Sequence, residues 1–181
     1  MKPLPFEKNH MARLAYIQDK IVSIEEAQKR LALYQLKNEK VVFTNGCFDV
    51  LHLGHIRYLA ASADLGKHLI VAINTDESVK RLGKAPNRPI NETEARGMLV
   101  AALGFVDLVV FFNEDTPLET IKALRPDVLV KGADYDKNET DSSKSTYIVG
   151  SDFVREQGGI VETIDLVQGY STTEILKKGA L

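Results

Sequence analysis

The sequence predicts a doubly wound α/β fold, with a mostly parallel five-stranded sheet, helices on both faces, and a helical extension at the N-terminus. Three observations carry that expectation. Beyond residue 40, apolar strand-like runs alternate five times with helix-length segments. One run, Leu69-Ile70-Val71-Ala72-Ile73, is continuously apolar, as in strands covered on both faces. Before residue 41 the apolar residues recur at helical spacing instead.

In order, the extension (residues 1–40) carries a weakly amphipathic stretch from Glu7 to Lys20. A second helix starts with the Ser23/Glu26 capping box and has an apolar stripe of Ile24, Ala27, Leu31 and Tyr34. Those apolar faces would either cover the sheet edge or form a subunit contact. Residues 41–181 form the main domain. The strand Val41 to Asn45 is followed by a helix from Gly54 to Leu65, the strand His68 to Asn74 and a helix from Glu92 to Leu103. Next come the strand Val106 to Phe112, a helix from Thr116 to Leu124 and the strand Asp127 to Val130. A helix over Thr146 to Glu156, the strand Ile160 to Leu166 and a helix from Ser171 complete the pattern. Asn91 with Glu94 reads as a capping box, and Pro117 stands at a first helical position. Residues 74–91 read as a loop broken by Gly83, Pro86 and Pro89.

Ligands in such folds gather beyond the carboxyl ends of the strands. That rule sets Asn45, Asn74, Lys131 and the segment after Leu166 along one edge. The first strand leads into Gly46-Cys47-Phe48-Asp49-Val50-Leu51-His52-Leu53-Gly54-His55, so two histidines flank a glycine where a helix begins. Free backbone N–H groups and the positive helix end favour anions there, and Gly54 lets a phosphate approach the backbone. The Gly-Lys-Ser/Thr ending of a Walker loop is missing, as is a G-x-G-x-x-G fingerprint. Zinc is the weaker reading, since no Cys cluster or third His stands nearby. Two histidines about a glycine favour phosphate chemistry over simple helix capping.

Composition narrows the classes. At 181 residues and 44% hydrophobic, the chain can bury one substantial core. A net charge of −2 gives no basic field, so nucleic acid is not an expected partner. Cys47 is the sole cysteine, which excludes an internal disulfide. With no signal peptide and no run long enough to cross a bilayer, a cytoplasmic protein without a membrane partner is expected. Within the loop 74–91, Lys80, Arg81, Lys84 and Arg88 make the main local cluster of cations.

The strand followed by G-x-F-D-x-x-H-x-G-H resembles the signature of the cytidylyltransferase-like nucleotidyltransferase superfamily, whose fold is Rossmann-like. From Val41 onward the chain is similar to its heptose 1-phosphate adenylyltransferase branch, in a stand-alone form, whereas many relatives carry a sugar kinase upstream. Asn74-Thr75-Asp76, Arg88-Pro89-Ile90-Asn91, Glu114-Asp115-Thr116-Pro117, Lys131-Gly132-Ala133-Asp134-Tyr135 and Gly169-Tyr170-Ser171-Thr172-Thr173 carry that likeness. The resemblance implies transfer of AMP from ATP, with Mg2+, to heptose 1-phosphate for lipopolysaccharide core biosynthesis. A cytidylyltransferase for another sugar or polyol phosphate, or a non-catalytic nucleotide-binding module, is the alternative.

It further implies His52, His55 and Lys84 as catalytic residues. Nucleotide contacts would come from Asn45, Gly46, Cys47, Phe48, Gly54, His55, Arg96, Lys131, Ser171, Thr172 and Thr173. Substrate contacts would come from Asp49, Asn74, Asp76, Lys80, Arg88 and Asp134. No protein metal site is expected, magnesium travelling with the triphosphate, and a homo-oligomer is expected. Arg96 would offer its planar fork to phosphate, the competing role being an exposed helical ion pair with Glu92.

Overall fold

A computed structural model describes residues 7–83 and 87–179. Five strands, β1 (Val41–Gly46), β2 (His68–Asn74), β3 (Leu108–Phe112), β4 (Val128–Gly132) and β5 (Ile160–Ile164), form one sheet in the order β3-β2-β1-β4-β5. Every pairing is parallel. The order reverses between β1 and β4, so chain ends diverge there and leave a crevice at the carboxyl edge.

Strand side chains alternate between two cores. Val41, Phe43, Ile70, Ala72, Leu108 and Val110 face one, and Val42, Leu69, Val71, Ile73 and Val109 face the other. Helices α1 (Glu7–Gln18) and α2 (Ile24–Leu36) make the extension. The others are α3 (Leu53–Ala63), α4 (Asp76–Arg81), α5 (Thr93–Ala101), α6 (Leu118–Leu124), α7 (Ser151–Glu156) and α8 (Thr172–Gly179).

The extension is part of this packing. Ser23 caps α2 by accepting the Glu26 N–H at 3.2 Å, and Ala27 and Leu31 are buried in the first core. Between α1 and α2, Ile21 bridges Val109 in parallel, and Val22 N–H donates to the Val109 carbonyl at 3.0 Å. The segment therefore covers the β3 edge, the first of its two expected roles. Tyr34 of α2 stacks on His68 with ring centroids 3.6 Å apart. The His68 ring also meets Glu39 at 2.8 Å and Asp107 at 3.2 Å.

Four local expectations change. Residues 76–81 form α4, capped by Thr75, so Lys80 and Arg81 belong to a helix and not to an open loop. Glu92, without a side-chain cap bond, is the N-cap of α5 in place of Asn91, whose Nδ2 donates instead to the Asp49 carbonyl at 2.6 Å. Pro117 is the N-cap of α6, not its first residue. Helix α7 begins only at Ser151, since Gly150 has φ 86°, a left-handed conformation suited to glycine. No helix among the described residues is long and apolar enough to cross a membrane.

Candidate functional site

The chain turns sharply after β1. Phe48 adopts φ 46°, an unfavourable left-handed conformation for an aromatic residue, and is 5% exposed. That turn sets its ring edge-on to His55, with centroids 5.1 Å apart. His52 is the N-cap of α3, and its Nδ1 accepts the His55 backbone N–H at 3.3 Å. An accepting Nδ1 requires the proton of a neutral ring to sit on Nε2, which is then the donor available to a ligand. The two imidazoles stack 3.8 Å apart at 18°. A Cβ on Gly54 would lie 3.0 Å from the His52 ring and 3.3 Å from the Tyr170 carbonyl, so any larger residue would disturb the pair.

Burial lowers the pKa of His52, and burial, reinforced by His52 beside it, pushes His55 down to about 4. Both rings are therefore neutral near pH 7. Below about 6.5 an unfolded histidine gains a proton that folded His55 refuses until about pH 4. Stability is whole above that range and falls as the pH drops through it, by roughly 3 kcal/mol from this residue at about 1.4 kcal/mol per unit. Urea unfolding at pH 7 and pH 4.5 should show a smaller acid loss for His55→Asn than for the unaltered protein. Equal losses would contradict the assignment.

The histidines lie in a cleft of about 630 Å³ onto which the carboxyl ends of all five strands converge. Asn45 and Gly46 at the end of β1 line it, followed by Cys47, Phe48 and Asp49, with His52, Gly54 and His55 beyond them. Asn74 lines it from β2, Arg88 from the segment before α5, and Lys131 and Asp134 from the end of β4. Ser171, Thr172 and Thr173 close it at the start of α8. Ser171 Oγ accepts the Glu174 N–H at 3.1 Å, so Ser171 caps α8 while first-turn amides remain open to an anion. Among the described residues the Asn45 amide oxygen is buried without a hydrogen-bond partner, and a ligand could supply one.

Beneath the cleft is a buried polar frame. Asp49, 1% exposed, accepts the Ile90 N–H at 2.7 Å, the Asn91 N–H at 3.0 Å and Arg88 Nε at 2.9 Å. Both carboxylate oxygens are thus committed, and Asp49 acts by holding Arg88 at the cleft. The remaining Arg88 nitrogens take no hydrogen-bond partner among the described residues, which leaves them to a ligand.

Arg96 departs from both of its expected roles. It is fully buried; Nε donates to the Asn91 carbonyl at 2.9 Å, Nη1 to the Cys47 carbonyl at 2.7 Å and Nη2 to Asp76 at 2.7 Å. It neither lines the cleft nor pairs with Glu92; it ties the β1 turn to α4 and α5. Asp76 is consumed by Arg96 and by the Thr93 hydroxyl at 2.8 Å, which lowers its carboxyl pKa against the cost of burial. Asp76 and Lys80 do not line the cleft either, Lys80 being exposed on α4. Lys84 lies outside the described residues.

Asp115, Thr116 and Pro117 also line the cleft. The strand-end rule applied to β3, as it was to β1, β2 and β4, picks them out. Tyr135, Val149, Leu166 and Val167 complete the wall near β4 and β5, with no polar pattern to mark them in the sequence. Among the described residues no group of three or more His, Cys, Asp or Glu side chains could hold a metal ion.

Residues 43–178 match the cytidylyltransferase-like family model. The chain is 49% identical over 160 residues to the bifunctional protein HldE of Magnetococcus marinus, covering 88% of this chain and 31% of that protein. It is 51% identical over 164 residues to the bifunctional protein HldE of Campylobacter concisus, with 91% and 32% covered. The chain thus spans about a third of the length of the curated relatives it matches. A crystal structure of a lipopolysaccharide core biosynthesis protein from Thermoplasma volcanium superposes with a TM-score of 0.55 at 28% identity, covering 74% of this chain and 99% of that one. Pantoate-beta-alanine ligase from Francisella tularensis, with a TM-score of 0.53, 12% identity and coverage of 86% and 75%, shares the fold alone.

Proposed function

The chain belongs to the cytidylyltransferase-like family, and on that premise we propose that it transfers AMP from MgATP to heptose 1-phosphate, releasing pyrophosphate and ADP-heptose. The observation that carries this reading is the neutral, stacked His52/His55 pair at the start of α3, in one cleft with the helix start of α8 and the Arg88 guanidinium. The triphosphate would run from the α8 start to the histidines, and the acceptor phosphate would rest on Arg88. A sugar phosphate oxygen attacks the α-phosphorus, the bond from that phosphorus to the bridging oxygen breaks, and pyrophosphate leaves with the electron pair. An ionised phosphate needs no general base. The protein's tasks are in-line positioning and donation to oxygens that gain charge. The His52 Nε2–H is one such donor, and Lys131 adds positive charge beside the cleft.

The HldE relatives and the lipopolysaccharide core protein support the heptose acceptor and the lipopolysaccharide pathway. The same reading makes residues 41–181 the catalytic domain, working in the cytoplasm, with the extension available for self-association. Magnesium fits as part of the substrate: the described residues gather no donor set for a resident ion, and magnesium is commonly held by phosphates and water. Calorimetry on nucleotide-free protein should accordingly show no tight magnesium binding, and a tight site would contradict this.

Pyrophosphate release, followed with ATP or CTP and a panel of sugar 1-phosphates, tests the function. Turnover is expected with ATP and heptose 1-phosphate. Absence of acceptor-dependent release with every pair would refute nucleotidyl transfer.

A further inference from the structure

Asp115 and Thr116 line the cleft two strands away from the histidines, in the loop that follows the edge strand β3. Two interstrand spacings are roughly 10 Å, a span suited to the body of an acceptor whose phosphate lies on Arg88. Their loop is held from below. Asn74 Nδ2 donates to Ser78 Oγ at 3.0 Å, and Ser78 Oγ donates to the Glu114 carbonyl at 2.9 Å. Arg81 Nη2 donates to the Asn113 carbonyl, and Arg81 Nε donates to Asp115 Oδ1 at 2.7 Å. Oδ2 of Asp115 takes no hydrogen bond among the described residues, and the side chain is 76% exposed.

A carboxylate held this way cannot serve a phosphate, which it repels, but it accepts hydrogen bonds from hydroxyls. Charge therefore sorts the cleft: cationic Arg88 near the reacting centre, an anion at the far wing. We propose that Asp115, with the Thr116 hydroxyl beside it, binds hydroxyl groups of the acceptor sugar, and that Arg81 is a positioning residue for Asp115. The acceptor is then a polyhydroxylated monophosphate whose far end carries no negative charge. This rests on the nucleotidyl-transfer reading and adds its acceptor specificity.

Steady-state kinetics with heptose 1-phosphate as the varied substrate test it. Asp115→Ala should raise KM for the sugar phosphate roughly 10-fold or more, the scale of a lost hydrogen bond to a charged group. KM for ATP, kcat and the thermal midpoint should stay near those of the unaltered enzyme. Asp115→Asn, which keeps an acceptor, should recover part of the loss, and Arg81→Gln should show a smaller rise than Asp115→Ala. An unchanged sugar KM in Asp115→Ala, or equal rises in both KM values with a lowered thermal midpoint, would overturn the subsite and leave nucleotidyl transfer standing. An unaltered enzyme that turns over no sugar 1-phosphate would overturn both.

Discussion

His52→Ala and His55→Ala should each lower kcat by roughly 10²-fold or more, the usual scale for one preorganised donor, while nucleotide affinity should fall far less. On the proposed reaction the asymmetry arises because the ground-state triphosphate would also have the α8 amides and the positive charge of Lys131, which line the same cleft, whereas the histidines would donate to oxygens that gain charge as pyrophosphate departs. For His52 the donor is defined: Nδ1 is occupied by the His55 N–H, so in the neutral ring Nε2 carries the proton and is the nitrogen left to donate. His→Asn retains more activity than His→Ala if donation is what matters. Removing either ring also unstacks its partner, so thermal unfolding must accompany the kinetics. Two Ala variants that fold normally and keep near-normal kcat would exclude the histidines from the chemistry.

Arg96→Ala should be the most destabilising single change near the site, by about 3–5 kcal/mol, the scale of breaking a buried ion pair from one side. Its loss strips partners from the Asn91 and Cys47 carbonyls and leaves Asp76 with Thr93 alone. Arg96→Lys restores charge but cannot reproduce three donors in one plane, so it recovers only part of the stability. Because the frame also sets the β1 turn and the segment bearing Arg88, KM for the sugar phosphate should rise in the fraction that folds. Urea unfolding measures the first effect; a change below about 1 kcal/mol, the range of an exposed pair, would contradict a structural role.

Much of this architecture is legible in the sequence because parallel strands covered on both faces leave unmistakable apolar runs, and all five appear in place. The His-x-Gly-His corner was legible for a related reason: strand, glycine and helix start stand consecutively in the chain. Arg96 was not, since helical spacing indicates which face a residue occupies but not that Asp76 waits opposite on α4. That helix itself was hidden: only six residues long, it is followed closely by Gly83 and Pro86, which signal a break. Asn91 shows the same limit at smaller scale. Its pattern with Glu94 fits a capping box, yet a long-range partner, the Asp49 carbonyl, takes its side chain. The strand-end rule reaches Asp115, but its place two strands from the histidines is a property of sheet order that no local pattern encodes.

The most direct test of the central claim follows oxygen atoms. Heptose 1-phosphate bearing ¹⁸O in its phosphate is incubated with enzyme and MgATP, and the products are read by phosphorus NMR and mass spectrometry. Attack by the sugar phosphate on the α-phosphorus requires ADP-heptose with ¹⁸O in the bridge between its two phosphorus atoms, and pyrophosphate free of label. Label in pyrophosphate, or ATP consumed without a labelled ADP-sugar, would contradict nucleotidyl transfer at this site.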